Sequence, residues 1–252
     1  MKRVLVLLVA SLVAGAAAFA GTVVVSGDSN LGNGIDGSAG AAIEDNGLFF
    51  SNLLGAGTSV ALRTTTNGDT GTEVTSQDAI LNYYGGLPGV TVDAFSAPVT
   101  PALLSGVNLL IAFLPDIAFT AGETSAIAAF LNGGGTVLFT GEWVPFDSVA
   151  DTNVNSILSA LGSPLAIAPA SLDSGFHVAS GSQIAADPLT AGISEFSYAA
   201  TSGVTGGTPL FFTTNGTPFM EYAPTSTTPE PSTLLLVVGA GLGLLVFRRR
   251  RA

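Results

Sequence analysis

The chain is 252 residues long, 47% hydrophobic and 10% charged, with 32 glycines and no cysteine. That length suits one domain with appendages, and the missing cysteine excludes disulfide staples, thiolate nucleophiles and cysteine-based zinc or iron–sulfur sites. A formal charge of −11 argues against a nucleic-acid partner, because phosphate backbones are held by many Lys and Arg contacts.

Charge placement divides the chain into three. Lys2 and Arg3 open it, Arg248, Arg249, Arg250 and Arg251 close it, and Arg63 is the one strong base between them. From Gly21 to Thr228 there are 17 acids against that single Arg, a net −16. The first segment has the order of an export signal: a Lys2-Arg3 head, an apolar run from Val4 to Val13, and small residues ending Ala18-Phe19-Ala20. Ala18 and Ala20 make the A-x-A pattern of signal peptidase, so residues 1–20 are expected to be a signal peptide cut after Ala20.

The body, residues 21–223, alternates strand and helix signals. Thr22 to Ser26 predicts a strand stopping at Gly27-Asp28, and Ala41 to Leu54 predicts a helix with Ile43, Leu48, Phe49 and Leu53 at apolar spacing. Thr58 to Leu62 and Val90 to Phe95 predict strands flanking a helix over Ser76 to Tyr84, capped by Thr75 or Ser76 and ended by Gly85-Gly86. Val107 to Leu114 is a nearly continuous apolar run, the mark of a strand covered on both faces. Thr120-Ala121-Gly122-Glu123 has capping-box spacing and opens a helix through Leu131, which Gly133-Gly134-Gly135 closes. Thr136 to Thr140 predicts a buried strand and Asn153 to Leu161 a helix.

This rhythm implies an α/β fold, a largely parallel sheet with helices on both faces of the flavodoxin-like kind. After Gly162 the runs shorten: Asp187-Pro188-Leu189, Phe196 to Ala199, Leu210 to Thr213 and Thr217 to Tyr222 predict antiparallel or edge strands completing the same core. Residues 224–228 read as an extended Thr/Pro-rich linker.

The chain then runs Pro229-Glu230-Pro231-Ser232-Thr233, fourteen apolar or glycine residues from Leu234 to Phe247, and four arginines. A helix over 234–247 would be about 21 Å long, a marginal membrane anchor against a hydrocarbon core of roughly 30 Å. The arginines would stay on the cytoplasmic side, which puts the body outside, in agreement with the N-terminal signal. The Pro-Glu-Pro motif, short Leu/Gly-rich segment and terminal Arg run, in that order over residues 229–252, resemble the PEP-CTERM sorting signal. That resemblance implies recognition by exosortase, cleavage near Pro229, Glu230 and Pro231, and delivery to the bacterial cell surface or an exopolysaccharide matrix. It constrains sorting and leaves the body's chemistry open.

A second resemblance lies in the body. The stretch VNLLIAFLPD, a capped helix and LNGGGTVLFTGEW resemble the class I glutamine amidotransferase-like superfamily, in which strand, helix and strand lead to a nucleophile elbow. The later DPLTAGI is similar to a loop of such domains. Where that family's cysteine would follow Thr140, this chain has Gly141 and Glu142, so thiolate amidotransferase catalysis is excluded.

The candidate site residues follow the strands. Asp28, Arg63, Asp116 and Glu142 are expected just beyond strand carboxyl ends, the edge where open α/β sheets bind ligands. Arg63 could clamp an anionic ligand, or pair with Asp28 or Glu142. Asp28, Asp116 and Glu142 could serve as acid and base in glycoside hydrolysis if they lay roughly 5 to 9.5 Å apart. Asp28, Asn30 and Asp36, in a glycine-rich loop, could offer oxygens to Ca²⁺, without EF-hand spacing; no other cofactor is expected. His177, the sole histidine, is expected in a Gly/Ser surface loop, with no G-x-S-x-G elbow to complete a triad. The expectation is an exported, non-catalytic protein with a structural or ligand-binding role in envelope or exopolysaccharide. A carbohydrate-active hydrolase and a calcium-binding surface protein are the alternatives.

Overall fold

The computed structural model describes residues 21–64 and 71–225. The signal-peptide residues, the linker beyond Thr225 and the whole sorting signal lie outside the described residues, as does segment 65–70.

Eleven strands are described: β1 Thr22–Ser26, β2 Ser59–Arg63, β3 Thr91–Phe95, β4 Leu109–Ala112, β5 Thr136–Thr140, β6 Ala166–Leu172, β7 His177–Ser180, β8 Glu195–Tyr198, β9 Thr201–Thr205, β10 Thr208–Phe212 and β11 Pro218–Pro224. Four longer helices accompany them: α1 Asn46–Leu54, α2 Thr72–Gly86, α3 Ala121–Asn132 and α4 Val144–Ala160. The main sheet has seven strands in the order β10-β11-β1-β5-β4-β2-β3. β1, β5, β4, β2 and β3 run parallel, while β11 is antiparallel to both β1 and β10. The pairs β6-β9 and β7-β8 form two small antiparallel sheets.

Helices cover both faces, because strand residues alternate sides and both sides are apolar. Val24, Leu62, Ile111 and Leu138 pack with Phe49, Phe50, Leu53, Ile80 and Tyr84 of α1 and α2. Val25, Ala61, Leu110 and Phe139 pack with Ile127, Leu131, Val154 and Leu158 of α3 and α4. All four residues of β4 are buried, as its uninterrupted apolar run requires. The segment after Gly162 joins both cores, with Phe196, Phe211 and Phe219 in the first and Leu165, Ile167 and Val204 in the second. Phe196 stacks on Phe211 at 4.0 Å, and Phe49 meets both edge-on at 5.7 and 5.6 Å. Each such pair is worth roughly 0.5–1.5 kcal/mol beyond burial, so one core holds the early helix and the late strands together.

Several predicted elements shift. The helix foreseen over Ala41 to Leu54 starts only at Asn46; Ile43 and Leu48 are 67% and 38% exposed, while Phe49 and Leu53 face the core as expected. Ahead of it lie short helical turns at Asn30–Gly32, Asn33–Asp36 and Ser38–Gly40. α2 begins four residues before Ser76 and ends at the Gly85-Gly86 pair, Gly86 being its last residue. α4 begins nine residues before Asn153, with a kink at Asp147. The Thr120–Glu123 capping box forms with both reciprocal bonds. Asp187-Pro188-Leu189 opens a short helical turn, Pro188–Thr190, capped by Asp187, in place of a strand. β11 continues through Pro224, the first residue of the expected linker.

Candidate functional site

Parallel strands bring their following loops to one edge. β1 and β5 are neighbours in register, Ser26 opposite Thr140, so Asp28 and Glu142 emerge side by side. The loop after β1 leads to α1 on one face and the loop after β5 leads to α4 on the other. Loops that diverge in this way open the crevice where α/β sheets place ligands.

In this protein the crevice is filled by its own chain. Asp28 and Glu142 are 0% and 1% exposed. Asp28 Oδ1 accepts the Asn30 N–H at 2.7 Å and Oδ2 accepts the Ala199 N–H at 2.8 Å. Glu142 Oε2 accepts Ser29 Oγ–H at 2.5 Å and Asn30 Nδ2–H at 3.2 Å, and Oε1 accepts the Trp143 N–H at 3.0 Å. Asp151 of α4 accepts the Glu142 N–H at 2.9 Å and lies 3.0 Å from Ser202 Oγ. The carboxylates therefore tie together the loops after β1 and β5, the β8–β9 connection and α4.

Glycines permit this closeness. A Cβ on Gly27 would stand 2.1 Å from the Ser202 carbonyl oxygen, and one on Gly141 would stand 2.2 Å from Asp151 Oδ1. Gly27 and Ser202 also share a backbone bond of 2.9 Å, Ser202 N–H donating. The segment Ala199–Ser202 thus lies across the mouth of the crevice.

Burial sets the electrostatics. Asp28 is pushed up to about 6, by desolvation first and by the Glu73 charge, against the hydrogen bonds from Ala199 and Asn30. Glu142 is pushed well above its ordinary value by desolvation and then by Asp28, with Ser29 and Trp143 opposing. Asp151 rises to about 6 through desolvation, opposed by bonds from Glu142 and Ser202. Among the described residues no cation pairs with these acids, so burial favours their protonated forms.

Arg63 goes elsewhere. It is the last residue of β2 and shares a face with Ala61, the side packed against α3. Its guanidinium lies 3.7 Å from Glu123 and 4.5 Å from the centre of the Phe119 ring. The expectation that Arg63 pairs with Asp28 or Glu142 is corrected: its ion-pair partner is Glu123, and those acids bond instead to Ser29, Asn30, Trp143 and Ala199. Desolvation lowers the Arg63 pKa, while Glu123 and Asp116 support its charge. Glu123 accepts from Val99 N–H and from the Thr120 backbone and hydroxyl. Burial raises its pKa, but these bonds and Arg63 leave it below the ordinary carboxylate range.

The structure therefore brings Asp28 and Glu142 together and separates Asp116, which sits by Arg63. Asp28, Asn30 and Asp36 do not converge on one point. Asp36 turns back to accept the Ser38 N–H at 2.9 Å, and Asn30 Oδ1 accepts from Asn33 Nδ2 at 3.2 Å. Among the described residues no group of three or more acids or histidines is arranged to hold a metal ion. His177 lies in β7, not a loop, with its ring stacked 5.7 Å from Tyr198 and Nε2 3.1 Å from the Ser174 carbonyl. Tyr198 in turn donates to Asp173 at 2.6 Å. A cavity of about 550 Å³ opens away from these groups, among residues 181–194, along the DPLTAGI loop.

Sequence reasoning missed Glu73 and Asp151, both buried. The signal was present. Asp151 falls at the apolar spacing of Val154 and Leu158, and Glu73 at that of Gln77, Ile80 and Tyr84, so each acid stands on the core-facing stripe of its helix.

The body is thus an α/β domain whose ligand-binding edge is closed by its own chain. The C-terminal end carries a sorting signal: residues 227–251 match the PEP-CTERM protein-sorting motif. The protein is an exosortase substrate, exported and held at the membrane by its C-terminal region before processing. No curated protein matches the chain. Among solved structures it is similar to one described as the mmIFT52 N-terminal domain, at 18% identity and a TM-score of 0.45, covering 61% of this chain and 76% of that one. Among the described residues no helix is long and apolar enough to cross a membrane; the 234–247 segment lies outside them.

Proposed function

We propose that this exosortase-sorted protein is a non-catalytic structural or ligand-binding component of the envelope or exopolysaccharide. The observation that supports this reading best is the occupied crevice. The two carboxyls that could have formed an acid–base pair spend their oxygens on backbone and side-chain donors and reach no solvent. General acid–base catalysis needs a carboxyl within hydrogen-bond reach of a substrate atom, and Ala199–Ser202 occupies that approach.

Signal peptidase would cut after Ala20. In support, Gly21 already packs against the chain, where a Cβ would stand 2.4 Å from the Leu131 carbonyl oxygen, and its carbonyl accepts the Thr225 N–H at 2.8 Å. The new N-terminus and the exit toward Pro229, Glu230 and Pro231 would then lie side by side. The test is to fractionate an exosortase-bearing host expressing the full chain. The protein should co-sediment with native exopolysaccharide and release no sugar from it; reducing ends accumulating above a D28N/E142Q control would overturn the non-catalytic reading.

A further inference from the structure

The described chain leaves the domain at the edge opposite the crevice. β11 runs antiparallel to β1, so Thr225 lies beside Gly21 at the amino edge of the parallel strands. Residues 226–228 alone separate it from Pro229, a reach of about 10 Å when fully extended. The apolar segment begins at Leu234, with eight residues between it and Thr225, so before processing the amino edge is the one from which the chain leads to the membrane.

That far edge carries exposed apolar groups. Trp143, Val144, Pro145 and Phe146 open α4 as a single turn before the kink at Asp147 (φ −142°, ψ 85°). Val144, Phe146 and Val149 are 38%, 46% and 55% exposed, and Ile117 on the neighbouring loop is 57% exposed. Asn153 Nδ2 holds that loop to α4 through the Pro115 carbonyl at 2.7 Å. Grouped exposed apolar side chains mark an interaction surface. The surrounding charge selects the partner. The one Arg among the described residues is buried against Glu123, so apart from His177 and the amino group of a chain starting at Gly21 the charged side chains on the described exterior are acids, Asp116 and Asp147 adjoining Ile117 and Phe146. A second copy, an anionic polymer or an anionic lipid surface would be repelled.

We propose that this edge docks a glycan strand bearing free amino groups, its apolar sugar faces lying on Trp143 and Phe146 and its ammonium groups drawn by the acidic field. The inference deepens the matrix-binding reading and rests on it. Trp143 is the only tryptophan, so its fluorescence reports on the patch directly. Glucosamine oligomers titrated into the mature protein recovered from the cell surface should shift Trp143 emission in a saturable way. N-acetylglucosamine oligomers and oligogalacturonate should do so at least roughly tenfold more weakly. A Phe146→Ser/Val149→Ser variant, altered only at exposed positions, should need roughly fivefold more ligand with an unchanged circular dichroism spectrum. Unaltered half-saturation in that variant, equal response to the acetylated oligomers, no saturable response, or a concentration-dependent dimer buried at Trp143 would each overturn the proposal. Continued co-sedimentation with native exopolysaccharide in those cases would leave the matrix-binding reading standing.

Discussion

At the scale of single residues, a buried carboxyl with an elevated pKa makes folding depend on pH with a definite sign. Asp28 and Asp151 titrate near 6 in the fold against an ordinary 3.8. Between those values the folded chain holds protons that the unfolded chain has released, so stability falls as pH rises through the window and levels off above it. The midpoint of thermal unfolding should drop by several degrees between pH 4.5 and pH 7.5, and Asp28→Asn should flatten that slope while lowering the midpoint at pH 4.5. A profile rising toward neutral pH would contradict the burial described for these acids. Arg63 makes the complementary case. Removing it by Arg63→Met leaves Glu123 buried without its cation and should cost about 3 kcal/mol in denaturant unfolding; Arg63→Met with Glu123→Gln should recover part of that loss. The sequence placed Asp28, Arg63 and Glu142 near strand ends because a strand boundary is a local property. It left the pairing of Arg63 open because partnership depends on which face of the sheet a residue points to. Arg63 shares the parity of Ala61, whereas Asp28 and Glu142 continue the parity of Val24 and Leu138.

At the scale of elements, local chemistry sets the boundaries where it is strong. Thr120 and Glu123 cap α3 by reciprocal bonds, and Thr120→Ala should cost about 1 kcal/mol in chemical denaturation. β5 occupies the predicted Thr136 to Thr140 because glycines precede it and Gly141 follows. Where tertiary contacts decide, the sequence was less legible. Gly85 and Gly86 read as a helix end and α2 stops at Gly86, but its start lies four residues ahead of the predicted Ser76. The loop over residues 29–40 turns into short helices because Ser76 and Asn46 hold its backbone from afar, with Ser76 Oγ–H donating to the Ser29 carbonyl at 2.6 Å and Asn46 Nδ2–H to the Leu31 carbonyl at 2.8 Å. β6, β7 and β9 were not read because their runs are made largely of Ala, Ser, Thr, Gly and Pro, with few large apolar side chains to mark them. The β8–β9 connection has a sharper test. Gly27→Ala drives a methyl into the Ser202 carbonyl and should cost roughly 3 kcal/mol or more if backbone must move; a cost below about 0.5 kcal/mol would mean that Ala199–Ser202 does not lie across the crevice.

At the scale of the whole molecule, the ends carry the cations and the domain carries the acids. A body at −16 from Gly21 to Thr228 repels itself, and added salt screens that repulsion over a distance of about 10 Å at 0.1 M. The amino edge, where Gly21 meets Thr225, would gather both processing points if cleavage follows Ala20 as proposed, while the far edge carries the exposed Val144 and Phe146. These arrangements have meaning only if the two termini are addresses and the domain is the delivered product. Intact-mass and terminal sequencing of the protein from the surface fraction of an exosortase-bearing host tests this most directly. The account predicts a chain starting at Gly21 and lacking Arg248 to Arg251; a cytosolic product carrying both Met1 and Ala252 would contradict it.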